Sequence, residues 1–303
     1  MKHSLNQWFF LTRPWSFPAS AMPALVAISY VFYIERSCTT FVSINWTNGI
    51  LAVLGAILFQ IAGNLISDYF DFKHGVDREE MFGTNRQIVD RLFKPKTVLN
   101  FGIIFLILGV AIGFFLIFRS GWQLLLLGSF GVLSTWFYYK LKYNALGDLL
   151  IFIIYGQLIA LGTVFVLTTT FFYPILFVSA PLGFLIVNIL HANNTRDISL
   201  DRKANIKTFA MIIGLKGSKI QYTILTLLSY IWIVILVIFR ILSPYCFIVL
   251  LTLLIAFKNS KQMNATKHGA PKDIETLDAS TAQLVLIFSL LLIVANFASA
   301  LLL

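Results

Sequence analysis

Nine stretches of about 17–25 consecutive, mostly apolar residues recur along the chain, at about 17–35, 47–71, 97–118, 121–138, 147–167, 171–195, 218–240, 243–257 and 280–302, the eighth the shortest. At 1.5 Å per residue such a run is long enough for a helix to cross the roughly 30 Å hydrocarbon core of a bilayer. Lipid offers no partner to a backbone N–H or C=O, so only helices and closed barrels span it. A barrel would alternate apolar and polar residues over segments of about ten. The continuous runs exclude that and predict an all-α, polytopic membrane protein with one transmembrane domain over residues 1–303. Composition agrees: 58% of the residues are hydrophobic and 12% charged, against about a quarter charged in soluble domains. A soluble enzyme and a disordered chain are both excluded.

The charges test the span count. With the N-terminus in the cytoplasm, the inner segments are 1–16, 72–96, 139–146, 196–217 and 258–279. Of the 23 Lys and Arg, 20 fall in these segments or directly beside them, Lys219 at the start of the seventh run included. Only Arg36, Arg119 and Arg240 fall outside. A wrong number of spans would scramble that asymmetry, so nine spans with a cytoplasmic N-terminus are predicted. The net charge of +10 is then the positive-inside bias and not a nucleic-acid footprint, and membrane lipid is the expected surrounding. No small-residue cleavage site follows a short apolar core near Met1, so no cleavable signal is expected. Cys38 and Cys246 lie far apart without metal spacing and read as packing residues.

Acidic residues number only 13, and two groups of them stand at the predicted inner ends of spans. The first is Asn64-Leu-Ile-Ser-Asp68-Tyr-Phe-Asp71, with Asp77 soon after. The second is Asn193-Asn194-Thr-Arg196-Asp197-Ile-Ser-Leu-Asp201-Arg202. Helical i,i+4 spacing stacks Asn64 on Asp68 and Asn193 on Asp197 and Asp201, and i,i+3 spacing adds Asp71. Runs 2 and 6 exit on the same side, so both stripes lie at one depth and can face one cavity. The repeat of Asn-x-x-x-Asp reads either as a trace of duplication or as chance. Like charges at this spacing repel, and their desolvation beside lipid is costly. Divalent cations between the stripes relieve both costs. Mg²⁺ suits this, because it takes one or two carboxylates and shares its remaining positions with water and phosphate. The expected metal ligands are Asp68, Asp71, Asp197 and Asp201. Arg78, Arg86, Arg196, Arg202 and Lys207 stand beside them to meet phosphate oxygens. A diphosphate at a membrane surface fits this arrangement. The competing reading is a set of solvated helix-end acids paired with neighbouring Arg.

These motifs resemble those of the UbiA superfamily of intramembrane prenyltransferases, and the resemblance covers nearly the whole chain. Arg13-Pro14 is similar to the family's Arg-Pro entry, Asn64-x-x-x-Asp68-x-x-Asp71 with Gly75-x-Asp77 to its first acidic motif, and Asn193-Asn194-x-Arg196-Asp197-x-x-x-Asp201-Arg202 to its second. Leu141-Lys142-Tyr143-x-x-Leu146-Gly147-Asp148, Gly156 and Leu161-Gly162-Thr163 look most like the branch that prenylates 1,4-dihydroxy-2-naphthoate in menaquinone synthesis. The chain departs from the family at Ser67, Gln87-Ile88 and Asn205-Ile206.

The resemblance implies nine helices around a central cavity opening to the cytoplasm of a bacterial inner membrane. It also implies Mg²⁺-dependent transfer of a polyprenyl group from polyprenyl diphosphate to an aromatic acceptor. Asp68, Asp71, Asp77, Asp197 and Asp201 are then the catalytic carboxylates, with Asp77 at the metal or at acceptor activation. Asn64 and Asn193 add neutral oxygen ligands or orient the carboxylates, and Asn194 belongs with the substrate-binding residues. Tyr69, Tyr138 and Tyr139 are candidates for the wall facing an allylic cation, or for an interfacial aromatic belt. Lys142 and Arg13 are expected at the acceptor carboxylate, or as interface anchors. His74 reads as solvated, and His3, His191 and His268 lack partners at ligand spacing. The rivals are a transporter, since intramembrane acids often mark ion paths, and a family enzyme with another acceptor.

Overall fold

The computed structural model describes residues 3–37, 44–77, 86–267 and 270–302. Among the described residues there is no strand, and nine helical spans are long and apolar enough to cross a membrane. The elements are α1 (Leu5–Leu11), α2 (Phe17–Ser37), α3 (Trp46–Lys73), α4 (Pro95–Ser120), α5 (Leu124–Lys142), α6 (Gly147–Ile153), α7 (Ile159–Thr168), α8 (Pro174–Arg196), α9 (Ile198–Lys203), α10 (Phe209–Ile238), α11 (Leu253–Ala265) and α12 (Leu277–Leu302). A π-helical segment, Ile154–Leu158, joins α6 to α7, and a 3₁₀ segment, Pro244–Thr252, leads into α11.

Local chemistry sets the ends. Ser4 and Gln7 form a capping box at the start of α1, each side chain meeting the other's backbone N–H. Pro95 and Pro174 open α4 and α8, where their missing N–H costs nothing. Pro181 lies inside α8 and cannot bond the carbonyl of Phe177; the indole Nε1 of Trp232 donates to that oxygen instead at 3.0 Å.

The structure differs from the sequence reading at three boundaries. The eighth span continues to Ala265, because Asn259 and Ser260, which lower its hydropathy, are buried against other helices. The seventh begins at Phe209, across a break at Gly214 (φ 66°), so its first turns carry Lys216 and Lys219. The expected loop 196–217 contains the helix α9.

The largest core unites α2, α7, α8, α10 and α12 around Tyr30, Leu182, Leu185, Ile233 and Phe288. The outer faces of α4 and α5 expose Ile107, Phe118, Leu126 and Leu133, the side that lipid covers in a membrane protein. Within the core, helices are tied by polar pairs. Asn296 Nδ2 donates to Ser29 Oγ at 3.0 Å, Tyr222 meets Thr281 at 2.6 Å and Tyr230 meets Thr252 at 2.7 Å. Cys246 is buried and unbridged, a packing residue as expected; Cys38 lies outside the described residues. Small residues allow the closest backbone approach: a Cβ on Gly156 would stand 2.8 Å from Gly183 Cα. That contact seats the π-helical segment directly on α8.

Candidate active site

One face of α3 lines a cavity of about 1230 Å³. Ala52, Gly55, Ala56, Phe59, Gln60, Gly63, Asn64, Ser67, Asp68 and Asp71 follow one another along it at helical spacing. Nineteen steps of 1.5 Å from Ala52 to Asp71 make this wall about 28 Å long, close to the thickness of a bilayer core. Its far end is apolar, reaching Leu116, Leu124 and Val166. Its near end is charged. Asn193, Asn194 and Arg196 from α8, Asp197 at the junction of α8 and α9, Asp201 from α9, Asp77, Lys142 and Arg13 converge there with the α3 carboxylates. The two stripes therefore share one chamber, as predicted.

The solvated reading does not hold for the central acids, because Asp68, Asp71 and Asp201 are only 4, 6 and 5% exposed. Buried carboxylates need partners, and the first motif takes them from distant elements. Arg13 pairs with Asp68. Lys142 Nζ lies 3.2 Å from Asp71 Oδ2, to which Ser67 Oγ also donates at 3.2 Å, while the Tyr143 hydroxyl donates to Asp71 Oδ1. Arg13 adopts a left-handed backbone, φ 56°, uncommon outside glycine, in the tight link between α1 and α2. Its carbonyl is held by Ser16 Oγ at 2.8 Å, and Ser16 Oγ in turn accepts from Asn64 Nδ2 at 3.0 Å.

The second motif is held from within. Arg196 donates to both oxygens of Asp197 at 2.9 Å and to Asn193 Oδ1. It also reaches the Glu275 carbonyl at 3.2 Å and Asp278 Oδ2 at 3.3 Å, at the start of α12. Asp201 Oδ2 is buried without a hydrogen-bond partner. Burial pushes the Asp77 carboxyl up to about 8, helped by Asp71 and Asp68 and opposed by Lys142 and Arg13. Burial also raises Asp201 to about 7, against the pull of Lys142. Asp197 is raised by burial, although Arg196 opposes the shift. The Tyr143 hydroxyl is held protonated by burial and by Asp71.

The four carboxylates expected at a metal do not form a ready-made cage. Among the described residues no three His, Cys, Asp or Glu side chains gather as a metal cluster; Asp68, Asp71 and Asp197 are paired instead with Arg13, Lys142 and Arg196. The donor set nevertheless fits Mg²⁺. That ion needs only one or two carboxylates when phosphate and water fill its octahedron, and Asp201 Oδ2 is an oxygen left without a partner.

Other expected residues stand elsewhere. Arg86 pairs with Asp90 at 3.0 Å and does not line the cavity. Arg202 and Lys207 are exposed; Lys207 acts through its backbone, bridged to Asn144. Tyr139 stacks on Phe70 with ring centres 3.9 Å apart, and Tyr138 takes the cavity position instead. Tyr69 lies outside the lining as well. Arg78 and His268 lie outside the described residues. Sequence reasoning missed the roles of Ser16, Ser67, Glu275 and Asp278. Asp278 carried a usable signal, an acid at the first turn of the last apolar run, and so did Ser67, four residues before Asp71 on one helix; Ser16 carried none. His191, which has no partner at ligand spacing along the chain, is bonded in space to Asp148.

Residues 38–274 match the UbiA prenyltransferase family. The chain is 30% identical over 302 residues to a Bacillus subtilis protein named 1,4-dihydroxy-2-naphthoate octaprenyltransferase, covering 96% of this chain and 92% of that one. It is 32% identical over 274 residues to mouse UbiA prenyltransferase domain-containing protein 1, covering 87% and 77%. Among solved structures, a UbiA homologue from Archaeoglobus fulgidus bound to DMAPP and Mg²⁺ superposes with a TM-score of 0.62 at 16% identity, covering 97% of this chain and 98% of that one. At that identity the likeness speaks for the fold, and the family match and the B. subtilis relative carry the assignment: this chain belongs to the UbiA prenyltransferase family.

Proposed function

We propose that this prenyltransferase joins the polyprenyl group of a polyprenyl diphosphate to 1,4-dihydroxy-2-naphthoate, with loss of the acceptor's carboxyl group, in a Mg²⁺-dependent reaction at the cytoplasmic face of a bacterial inner membrane. The observation that carries the reading is the single cavity with both acidic motifs at one end and a mostly apolar wall running from Asn64 back to Ala52 beyond them, about 18 Å at 1.5 Å per residue, room for an extended hydrocarbon. The name of the B. subtilis relative supports the acceptor, and the positive-inside count supports the orientation. The ligands named for the A. fulgidus homologue support the donor class and the ion.

The chain's own groups divide the work. Asp68, Asp71, Asp197 and Asp201 hold the ion. When bound, Mg²⁺ neutralises the diphosphate and stabilises charge as the allylic C–O bond breaks, its electron pair leaving with the diphosphate. Arg13, Lys142 and Arg196 are paired with these carboxylates and turn to phosphate oxygens as the acids engage the ion. Asn64, Asn193 and Asn194 orient the carboxylates. Tyr138, with Tyr155 deeper in the cavity, faces the allylic carbon with ring electrons worth up to about 2 kcal/mol when desolvated. The apolar wall keeps water from that cation. An electron-rich ring carbon of the acceptor then forms the new C–C bond, and the carboxyl at that carbon departs as CO₂. Asp77, largely protonated near neutral pH in the metal-free protein, is assigned to the acceptor's hydroxyl groups.

The test offers the purified protein a labelled polyprenyl diphosphate, Mg²⁺ and either the naphthoate or 4-hydroxybenzoate. Prenylated naphthoate with CO₂ release bears the reading out. Turnover of the benzoate alone assigns a different acceptor within the family. Ion flux in liposomes without any turnover would return the molecule to the transporter class.

A further inference from the structure

A buried polar group outside the cavity remains unused by this chemistry. Asp148 opens α6, His191 lies on α8 and Gln221 on α10. His191 Nδ1 is 2.8 Å from Asp148 Oδ2, and Gln221 Nε2 donates to the same oxygen at 2.9 Å. Gln221 Nε2 is also 3.2 Å from His191 Nδ1. Asp148 Oδ1 and His191 Nε2 are buried with no partner of their own. None of the three residues lines the cavity. Ionisable groups at membrane depth are costly and are retained for function. Packing alone does not call for them here, since neutral bonds already stitch α8 to α10: Asn188 Nδ2 to Tyr222 O at 2.9 Å, and Ser229 Oγ to Pro181 O at 3.0 Å.

The position of the group points to its role. Six residues before Asp148 stands Lys142, and six residues after His191 stands Asp197. Between Lys142 and Asp148 the chain turns through Ala145 (φ 60°). Gly147 there has no room for a side chain in comfort, a Cβ meeting Leu190 Cδ2 at 3.3 Å and Lys142 Cα at 3.5 Å. That turn carries Lys142 and Tyr143 to Asp71, whereas α8 carries the second motif. The Asp148–His191 bond is thus a direct side-chain tie between the arm that holds the first motif and the helix that bears the second.

We propose that Asp148, His191 and Gln221 form a buried clasp that sets the spacing between the two acidic motifs, and so are positioning residues for prenyl transfer. The inference rests on the cavity being the transfer site. A directional bond to a charged group fixes helix register more tightly than an apolar contact, and supporting bonds of this kind place functional side chains within a fraction of an ångström.

The test uses the full-length protein in detergent or liposomes with labelled polyprenyl diphosphate and the acceptor on which the wild type is active. It reads kcat, KM for the diphosphate, the Mg²⁺ concentration giving half-maximal rate, and thermal stability. Asp148→Ala and His191→Leu are each expected to lower kcat about tenfold and to raise the Mg²⁺ requirement several-fold. The double variant should be no worse than about twofold below Asp148→Ala, since both singles remove the Asp148–His191 bond. His191→Gln, which keeps an N–H within reach of Asp148, should recover most of the rate. Singles within twofold of wild type in rate and Mg²⁺ requirement, or losses that multiply in the double, would overturn the clasp. So would variants that melt earlier yet turn over normally below their melting point. Should His191→Leu fail to fold, Gln221→Leu leaves the Asp148–His191 bond in place and is expected to cost about two- to fivefold; no change there also overturns the proposal. A wild type without transfer activity on any acceptor removes the reading of the cavity, whereas an active wild type with indifferent variants removes the clasp alone.

Discussion

The two acidic motifs look alike in sequence and are held in opposite ways. Asp68 and Asp71 draw their counter-charges from outside their own helix, Arg13 from the link before α2 and Lys142 from the end of α5. Asp197 draws its own from the preceding residue, Arg196, which also reaches Asp278. The first motif therefore depends on the assembly of three segments, while much of the second is organised by one helix end and its immediate continuation. The Asp71–Lys142 pair is also the drier, with side chains 8 and 13% exposed, whereas Asp197 and Asp278 retain 19 and 30%. A charge pair in water tolerates the loss of one member far better than a dry one.

The strongest test of this contrast removes a carboxylate from each side. Asp68→Ala and Asp197→Ala are both expected to reduce prenyl transfer by at least about a hundredfold, since each takes away charge stabilisation at the breaking bond. Both proteins should still insert and remain folded. Normal turnover in either would contradict the shared diphosphate site. Next come the counter-charges. Lys142→Met leaves Asp71 buried and uncompensated, a loss of about 3–5 kcal/mol, visible as a lower melting temperature in the metal-free protein. Arg196→Met leaves partly solvated acids behind and should lower stability by less. An Arg196 variant hurt more than the Lys142 variant would reverse the ranking.

A third test uses pH. Asp77 and Asp201 are held above the ordinary carboxylate value of 3.8, at about 8 and about 7. The folded, metal-free chain thus keeps protons that the unfolded chain has released. Its stability is greatest below the unfolded value and falls as pH rises toward 7–8, levelling beyond. Mg²⁺ takes the place of the proton on Asp201, so the melting-temperature gain on adding it should be larger at pH 8.5 than at pH 5.5. Equal gains, or a larger one in acid, would count against carboxylates as the ligands. The smallest effect is expected at Arg86 and Arg202, which stand outside the cavity. Alanine at either should change transfer by less than about twofold and stability by less than about 0.5 kcal/mol. A large loss at either would move that residue into the site.

Much of the fold was legible in the sequence because a bilayer imposes a length and a charge rule that short-range chemistry obeys. The spans misjudged were those where polar residues are buried against other helices, as at Asn259, or where a span runs past lysines near its end, as at Lys216. The acids of both motifs were legible for a related reason: in an apolar chain a carboxylate is rare and stands out. Their partners were not. Nothing in the spacing of Ser16 or Glu275 marks them as neighbours of the site, and Arg86, Arg202 and Lys207, close to the motifs in sequence, stand outside the cavity lining. Sequence distance to a motif says little about the direction of a side chain. His191 and Asp148, 43 residues apart, show the converse, a pair invisible along the chain and in direct contact in space.

By itself the sequence determined the helical class, the number of crossings and the identity of the two acidic stripes, since hydropathy, charge placement and helical period are local properties of the chain. Only the tertiary structure decided which cation meets which carboxylate, that Tyr138 rather than Tyr139 faces the cavity, and that a buried Asp148–His191–Gln221 group ties the two motifs together. Those outcomes depend on how separate helices rotate and pack in three dimensions, and a burial energy summed over many weak contacts leaves no mark at any single residue.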